Sequence, residues 1–88
     1  MPHMLAKLTG IKAEVVKGIL KAQARGHADQ GLYLEHLWQN ADDLDEVLFL
    51  FKVEDLNHAK EFIRWAHEQS REVDPQGKLP DMTFLDEI

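Results

Sequence analysis

Carboxylates cluster around one apolar stretch of the chain and are its first candidates for chemistry. Six of them flank residues 47–53, VLFLFKV: Asp42, Asp43, Asp45, Glu46, Glu54 and Asp55. A calcium loop needs oxygen ligands at defined spacing with a glycine and a late glutamate, and that pattern is absent here. Aspartates also favour turns, because their side chains bond to their own backbone. We therefore predict that residues 41–46 form a turn between strands and that no metal binds there.

The histidines are dispersed and form no HExxH or similar metal motif: His3, His27, His36, His58 and His67. The last two are nine residues apart on a predicted helix, so they point in opposite directions and read as surface residues. His36 differs because it alternates with Leu32, Leu34 and Trp38 on one face of a predicted strand. One interpretation is a hydrogen-bonded or partly exposed strand histidine. The other is an acid–base or ligand-binding group in a cavity.

Aromatic residues could line a pocket beside this histidine. Trp38 is predicted to share a strand face with His36, and Phe49 and Phe51 share a face of the next strand. We take these four residues as candidate ligand-binding residues and His36 as the one candidate catalytic residue. Aromatic side chains at strand spacing also commonly form a core or an interface, and that alternative stays open.

Composition excludes several classes of function. The 88 residues contain no cysteine, which excludes disulfides and thiolate metal sites and fits a reducing cytoplasm. Ten Lys and Arg face 16 Asp and Glu, and the net charge of −6 disfavours nucleic acid as a partner. No apolar run approaches the roughly 20 residues that cross a bilayer, so no membrane association is expected. We find no pattern that indicates a cofactor.

Periodicity predicts the elements that would position these residues. Residues 11–26 have an apolar stripe at helical spacing, formed by Ile11, Val15, Ile19 and Ala22, with Val16 and Leu20 beside it. Gly18 is predicted to pack closely against another backbone, and Gly26 is predicted to end the helix. Residues 31–40 and 47–53 read as two strands of a hairpin. Residues 55–72 form the clearest helix, capped by Asp55. Residues 81–88 read as a last strand.

The first residues are ambiguous. Residues 3–9, HMLAKLT, alternate like a short strand, but Leu5 and Leu8 would equally extend the following helix backwards. We therefore predict one domain over residues 1–88, with residues 1–10 either a first strand or part of the helix. The order of elements predicts an α+β fold, in which an antiparallel sheet has two helices on one face. With a strand in front, that order is ferredoxin-like.

Part of the chain resembles a known superfamily. Residues 40–46, NADDLDE, residues 55–62, DLNHAKEF, and residues 80–86, PDMTFLD, resemble the hairpin, second helix start and last strand of small dimeric α+β barrel proteins. The resemblance covers roughly residues 31–88. It implies a ferredoxin-like protomer whose sheet pairs with a second sheet to close a barrel. The superfamily includes cofactor-free monooxygenases, polyketide cyclases and haem-handling enzymes, but its shared motif carries no catalytic residue.

The strand at residues 47–53 predicts a homodimer independently of that resemblance. Val47, Phe49, Phe51 and Val53 form one apolar face, and Leu48 and Leu50 make the other face largely apolar too. A sheet with one solvated face should alternate apolar and polar residues. Helices can cover only one face of a small sheet, so a second subunit is the simplest cover for the other.

Two hypotheses for function follow. The first is a non-enzymatic homodimeric domain that binds a small apolar ligand in or near the barrel. The second is an enzyme of the cofactor-free monooxygenase or cyclase kind, with His36 in the cavity. We favour the first, because no convergent set of polar residues supports His36.

Overall fold

A computed structural model describes residues 1–88. Six elements follow one another along the chain: β1 (His3–Thr9), α1 (Ala13–Asp29), β2 (Leu32–Asn40), β3 (Asp43–Val53), α2 (Leu56–Val73) and β4 (Asp81–Leu85). Residues 3–9 are therefore a strand and not a backward extension of the first helix. Neither helix is long and apolar enough to cross a membrane.

The four strands form one antiparallel sheet in the order β2-β3-β1-β4. β1 lies in the interior of the sheet, where Met4 pairs with Phe51 on one side and with Phe84 on the other. Both helices pack on the same face. This is the ferredoxin-like α+β fold that the sequence predicted.

The core lies between this face and the helices. Ten buried apolar residues form it, and they alternate along β1 and β3 because successive strand residues point to opposite faces: Met4, Ala6, Val16, Leu20, Leu32, Val47, Phe49, Phe51, Val53 and Ala59. Seven of these ten come from β1, β2 and β3, and only three come from helices. The helices therefore seal the core incompletely.

The opposite face of the sheet carries no helix. Leu5, Leu48 and Leu50 lie there half-buried, and Trp38 and Leu85 are 46% and 42% exposed. We call this whole side of the sheet the open face. Its apolar part is formed by Leu5, Trp38, Leu48, Leu50 and Leu85. The apolar character predicted for both faces of residues 47–53 is present in the structure.

A β-bulge in β2 corrects the predicted strand face. Leu34 pairs with Phe51, but the next paired residue, His36, lies opposite Leu50, so Glu35 is the extra residue. Because a bulge inserts one residue, the alternation of side chains reverses beyond it. Leu34 therefore lies on the helix side, whereas His36 lies on the open face. The prediction of one continuous stripe from Leu32 to Trp38 was wrong.

The first helix also differs from prediction. Val16 and Leu20 are its buried residues, whereas Val15 and Ile19, which the predicted stripe placed inward, are 50% and 45% exposed. No atom of another segment lies within 4 Å of the position that a Cβ would occupy at Gly18, so the predicted close packing against another backbone is absent.

The end of this helix lies beyond the predicted stop. The helix passes through Gly26 and ends at Asp29. Gly31 follows with φ +74°, and its carbonyl accepts a hydrogen bond from the Glu54 N–H at 3.0 Å. A left-handed glycine just past a helix is a common way to end it.

The acidic hairpin is tighter than predicted. Its turn consists of Ala41 and Asp42 alone, because Asn40 already pairs with Asp43. The Asn40 side chain accepts the Asp42 N–H at 2.9 Å, and the Asp43 side chain accepts the Asp45 N–H at 3.1 Å. Asp43, Asp45 and Glu46 thus belong to β3. The start of α2 agrees with prediction, since Asp55 accepts a hydrogen bond from the His58 N–H at 3.2 Å.

Two glycine substitutions test these backbone assignments. Gly31→Ala should lower the free energy of unfolding by about 1–2 kcal/mol, because an L-residue is strained at positive φ. Its Cβ would also lie 3.2 Å from the Glu54 Cβ. Gly18→Ala is the matched control and should raise stability by about 0.5–1 kcal/mol, since it removes backbone entropy in an open helical position. Urea unfolding measures both, and equal effects from the two substitutions would contradict the assignment.

Candidate functional site

A cavity of about 660 Å³ lies between the helices and the sheet. Much of its floor consists of side chains that all four strands direct toward the helices: Met4, Leu8, Leu32, Phe49, Phe51 and Met82. Apolar residues of the helices supply its walls: Val16, Ile19, Leu20, Ala22, Phe62, Ile63 and Ala66. It exists because α1 and α2 do not pack closely against each other and leave apolar surface of the sheet uncovered between them.

A few polar groups interrupt this apolar lining. α1 contributes Gln23, His27 and Gln30, and α2 contributes His67 and Ser70. Lys78, in the loop before β4, lies at the edge of the cavity near the end of β1. An apolar cavity with few polar groups is typical of a site for a small organic molecule.

His27 lies in the last turn of α1, on the side that faces the sheet. Its ring meets the ring of Phe51 edge-on, with centroids 5.3 Å apart and planes at 84°. Burial lowers the pKa of His27 below the usual 6.5, because the apolar surroundings disfavour the charged imidazolium. At neutral pH, His27 is therefore an uncharged group that can donate or accept one hydrogen bond to a bound molecule.

His67 lies on α2, facing the segment that leads into β4. It lines the cavity and also an adjoining recess beside Pro80 and Asp81. Burial lowers its pKa, and the positive charge of Arg71 lowers it further. Neither His27 nor His67 has a side-chain hydrogen bond within the chain, so both rings are free to bond a ligand.

The predicted site residues divide between the two faces of the sheet. Phe49 and Phe51 line the cavity, with ring centroids 5.8 Å apart. His36 and Trp38 stack on each other on the open face, with centroids 4.9 Å apart and planes at 16°. The β-bulge at Glu35 separates the two pairs. The four residues therefore do not form one pocket, and ligand binding by each pair stays a prediction.

His36 lacks the partners of an acid–base group. Its neighbour Glu35 bonds instead to His3, with Nε2 and Oε1 2.8 Å apart. No hydrogen bond or ion pair reaches the His36 ring. No three His, Asp or Glu side chains converge anywhere in a manner that could hold a metal ion.

Sequence reasoning missed both cavity histidines, although a signal existed. His67 follows Ile63 by four residues and so belongs to the apolar stripe of α2. His27 follows Leu20 by seven residues, which places it on the buried face of α1. The helical period thus indicates an inward position for each ring, whereas the nine-residue separation of His58 and His67 carries no information about which ring faces the core.

Comparison with known proteins supports the fold only. No protein-family model matches the chain, and no curated protein sequence matches it significantly. Two solved structures are similar. One, a "putative antibiotic biosynthesis monooxygenase" from Deinococcus radiodurans, is 12% identical with a TM-score of 0.65, covering 100% of this chain and 93% of that one. The other, an uncharacterized NIPSNAP domain protein from Burkholderia xenovorans, is 20% identical with a TM-score of 0.54, covering 100% and 95%.

The two cavity histidines predict how stability depends on pH. Because the pKa of each is lower in the folded state than the usual 6.5, the unfolded chain binds more protons below that pH. The free energy of unfolding should therefore hold above about pH 6.5 and decline as pH falls toward the folded pKa values. Urea unfolding of the wild type from about pH 8 to pH 5 would measure the decline.

Substitutions test whether the rings of His27 and His67 cause this decline in the free energy of unfolding. The double variant His27→Gln with His67→Gln should decline less steeply with falling pH, since it removes both titrating groups. His58→Gln replaces an exposed histidine and should leave the wild-type slope. A double variant whose slope equals that of the wild type would contradict the assignment.

Proposed function

We propose that this protein is a homodimeric binding domain that holds a small, mostly apolar organic molecule between its sheet and its helices. The cavity carries the proposal. Its volume of about 660 Å³ falls in the range of ligand sites, roughly 300–1,000 Å³, and 15 of its 23 lining residues are hydrophobic.

The energetics of packing support a bound molecule. Protein interiors are packed to about the density of organic crystals, and unfilled apolar space costs stability. Here Ile19 remains 45% exposed, and Phe62 and Ile63 are only half-buried, although all three line the cavity. A ligand between the helices and the sheet would bury these side chains and stabilise the fold by binding the native state alone.

The open face supports the homodimer. Its apolar side chains come from all four strands, with no helix above them: Leu5, Trp38, Leu48, Leu50 and Leu85. Large exposed apolar patches commonly mark interaction sites. A second copy of the chain offers the same surface, and two-fold symmetry brings the two copies together. Absence of cysteine is compatible with the cytoplasm as the place of this dimer.

A second candidate function is an enzyme of the cofactor-free monooxygenase or cyclase kind. Two observations favour it: the name of the similar Deinococcus radiodurans protein, and two neutral histidines in the cavity that could accept a proton. The position proposed for the base then changes from His36 to His27 or His67. We rank this function second, because no carboxylate hydrogen-bonds either ring to orient it.

Binding of a neutral apolar dye tests the first function. N-phenyl-1-naphthylamine should fluoresce strongly with the wild type. Ala66→Phe should weaken its binding about tenfold or more, because the new ring fills cavity volume and tenfold corresponds to about 1.4 kcal/mol. Ala24→Phe adds the same ring at an exposed position outside the cavity and should bind like the wild type. Absence of wild-type binding would refute the proposal.

Sedimentation tests the assembly. At micromolar concentration the wild type should sediment at twice 10.2 kDa. Leu50→Lys should weaken the dimer by about 2 kcal/mol or more, since it places a charge in the centre of the open face. Val15→Lys alters an exposed apolar residue of α1 and should remain dimeric. A wild-type monomer, or a dimer insensitive to Leu50→Lys, would contradict the proposed interface.

A further inference from the structure

Only one formally charged residue lines the cavity, and it is a cation, Lys78. The chain as a whole has 16 Asp and Glu against 10 Lys and Arg, yet none of the 23 lining residues is a carboxylate. From this contrast we infer that the natural ligand is a monoanionic amphiphile, whose acidic group binds Lys78 while its apolar body lies between the sheet and the helices. This inference rests on the proposed binding function and names its ligand class.

The Lys78 side chain reaches the cavity edge across the turn that joins β1 to α1. A Cβ built on Gly10 would lie 2.7 Å from the Lys78 Nζ and 2.9 Å from its Cε. Gly10 has φ +77°, and its N–H bonds to the Asp45 carbonyl at 2.9 Å. The Lys78 ammonium group thus lies against the Gly10 backbone, and any side chain at position 10 would displace it.

The ammonium group has no partner within the chain. Its Nζ makes no ion pair, and no side-chain hydrogen bond involves it. Asp74, a carboxylate of the same loop, accepts the Gln76 N–H at 3.2 Å. A cation at the edge of an apolar cavity can therefore accept an external anion without first breaking an internal pair.

The two ends of the cavity differ in polarity, which orients the ligand. Lys78 and Ser70 lie together at the end where Leu8 closes β1, so an ammonium and a hydroxyl can both donate to one acidic group. At the opposite end, near Met4, the polar groups are the uncharged His27 and Gln30. The acidic head group therefore belongs at the Lys78 end, with the apolar body running along Phe49 toward His27.

Two dyes with the same anilinonaphthalene body isolate the contribution of the charge. 8-Anilino-1-naphthalenesulfonate is an anion, and N-phenyl-1-naphthylamine is its neutral counterpart. The wild type should bind the anion more tightly. Lys78→Met should weaken binding of the anion about tenfold or more, as expected for loss of a hydrogen bond to a charged group, and should leave the affinity for the neutral dye within about twofold. Lys78→Arg should retain the preference.

Matched controls separate the possible failures. Lys17→Met removes the same charge from an exposed position of α1 outside the cavity and should leave both affinities unchanged. Retained neutral-dye binding shows that each variant is folded. If the neutral dye binds but Lys78→Met does not weaken the anion, the ligand class is wrong and the binding function stands. If neither dye binds the wild type, the binding function itself fails.

Discussion

The rest of this structure depends on one constraint: the sheet carries large apolar side chains on both faces, and the chain has only two helices, which cover one of them. β3 shows it directly, because Phe49 and Phe51 point to the helices while Leu48 and Leu50 point away. Burial of apolar surface is the main favourable term in folding, so surface left uncovered is an opportunity for another molecule. Both proposals, the dimer and the ligand, follow from surface that 88 residues cannot cover.

Incomplete cover has different consequences on the two faces. On the helix side, α1 and α2 do not pack closely against each other, and their contribution to the fully buried core is limited to Val16, Leu20 and Ala59. The result is a half-open cavity of about 660 Å³, a volume in the range of small-molecule sites. The open face is instead a broad, shallow surface on several strands, which suits a protein partner of the same shape. The proposed ligand site and the proposed dimer interface thus lie on opposite faces of one sheet.

The β-bulge at Glu35 decides which residues serve which face. Without it, His36 and Trp38 would continue the helix-side stripe of Leu32 and Leu34 and would approach Phe49 and Phe51 in one site. With it, they join the open face, where Glu35 also bonds to His3 at 2.8 Å. Bulges often redirect side chains in this way. One inserted residue therefore moved the candidate histidine from the predicted pocket to the proposed interface.

The sequence by itself determined the order of elements, the Asp55 cap and the two apolar faces of β3. These features depend on local periods and on side-chain bonds within a few residues, which the sequence displays directly. It also indicated the ferredoxin-like fold, although the place of residues 3–9 required the pairing of β1 with both β3 and β4. That pairing joins residues at least 37 positions apart, the separation of Thr9 and Glu46, and no local pattern reports it.

Only the tertiary structure decided the composition of the candidate site. Packing between distant segments produces three features: the bulge in β2, the orientation of α1 that buries Val16 and not Val15, and the approach of Lys78 to Gly10. His27 and His67 acquire their lowered pKa values only when α1 and α2 settle over the sheet and exclude water from them. Periodicity gives the face of an element, but what that face meets is a property of the assembled chain.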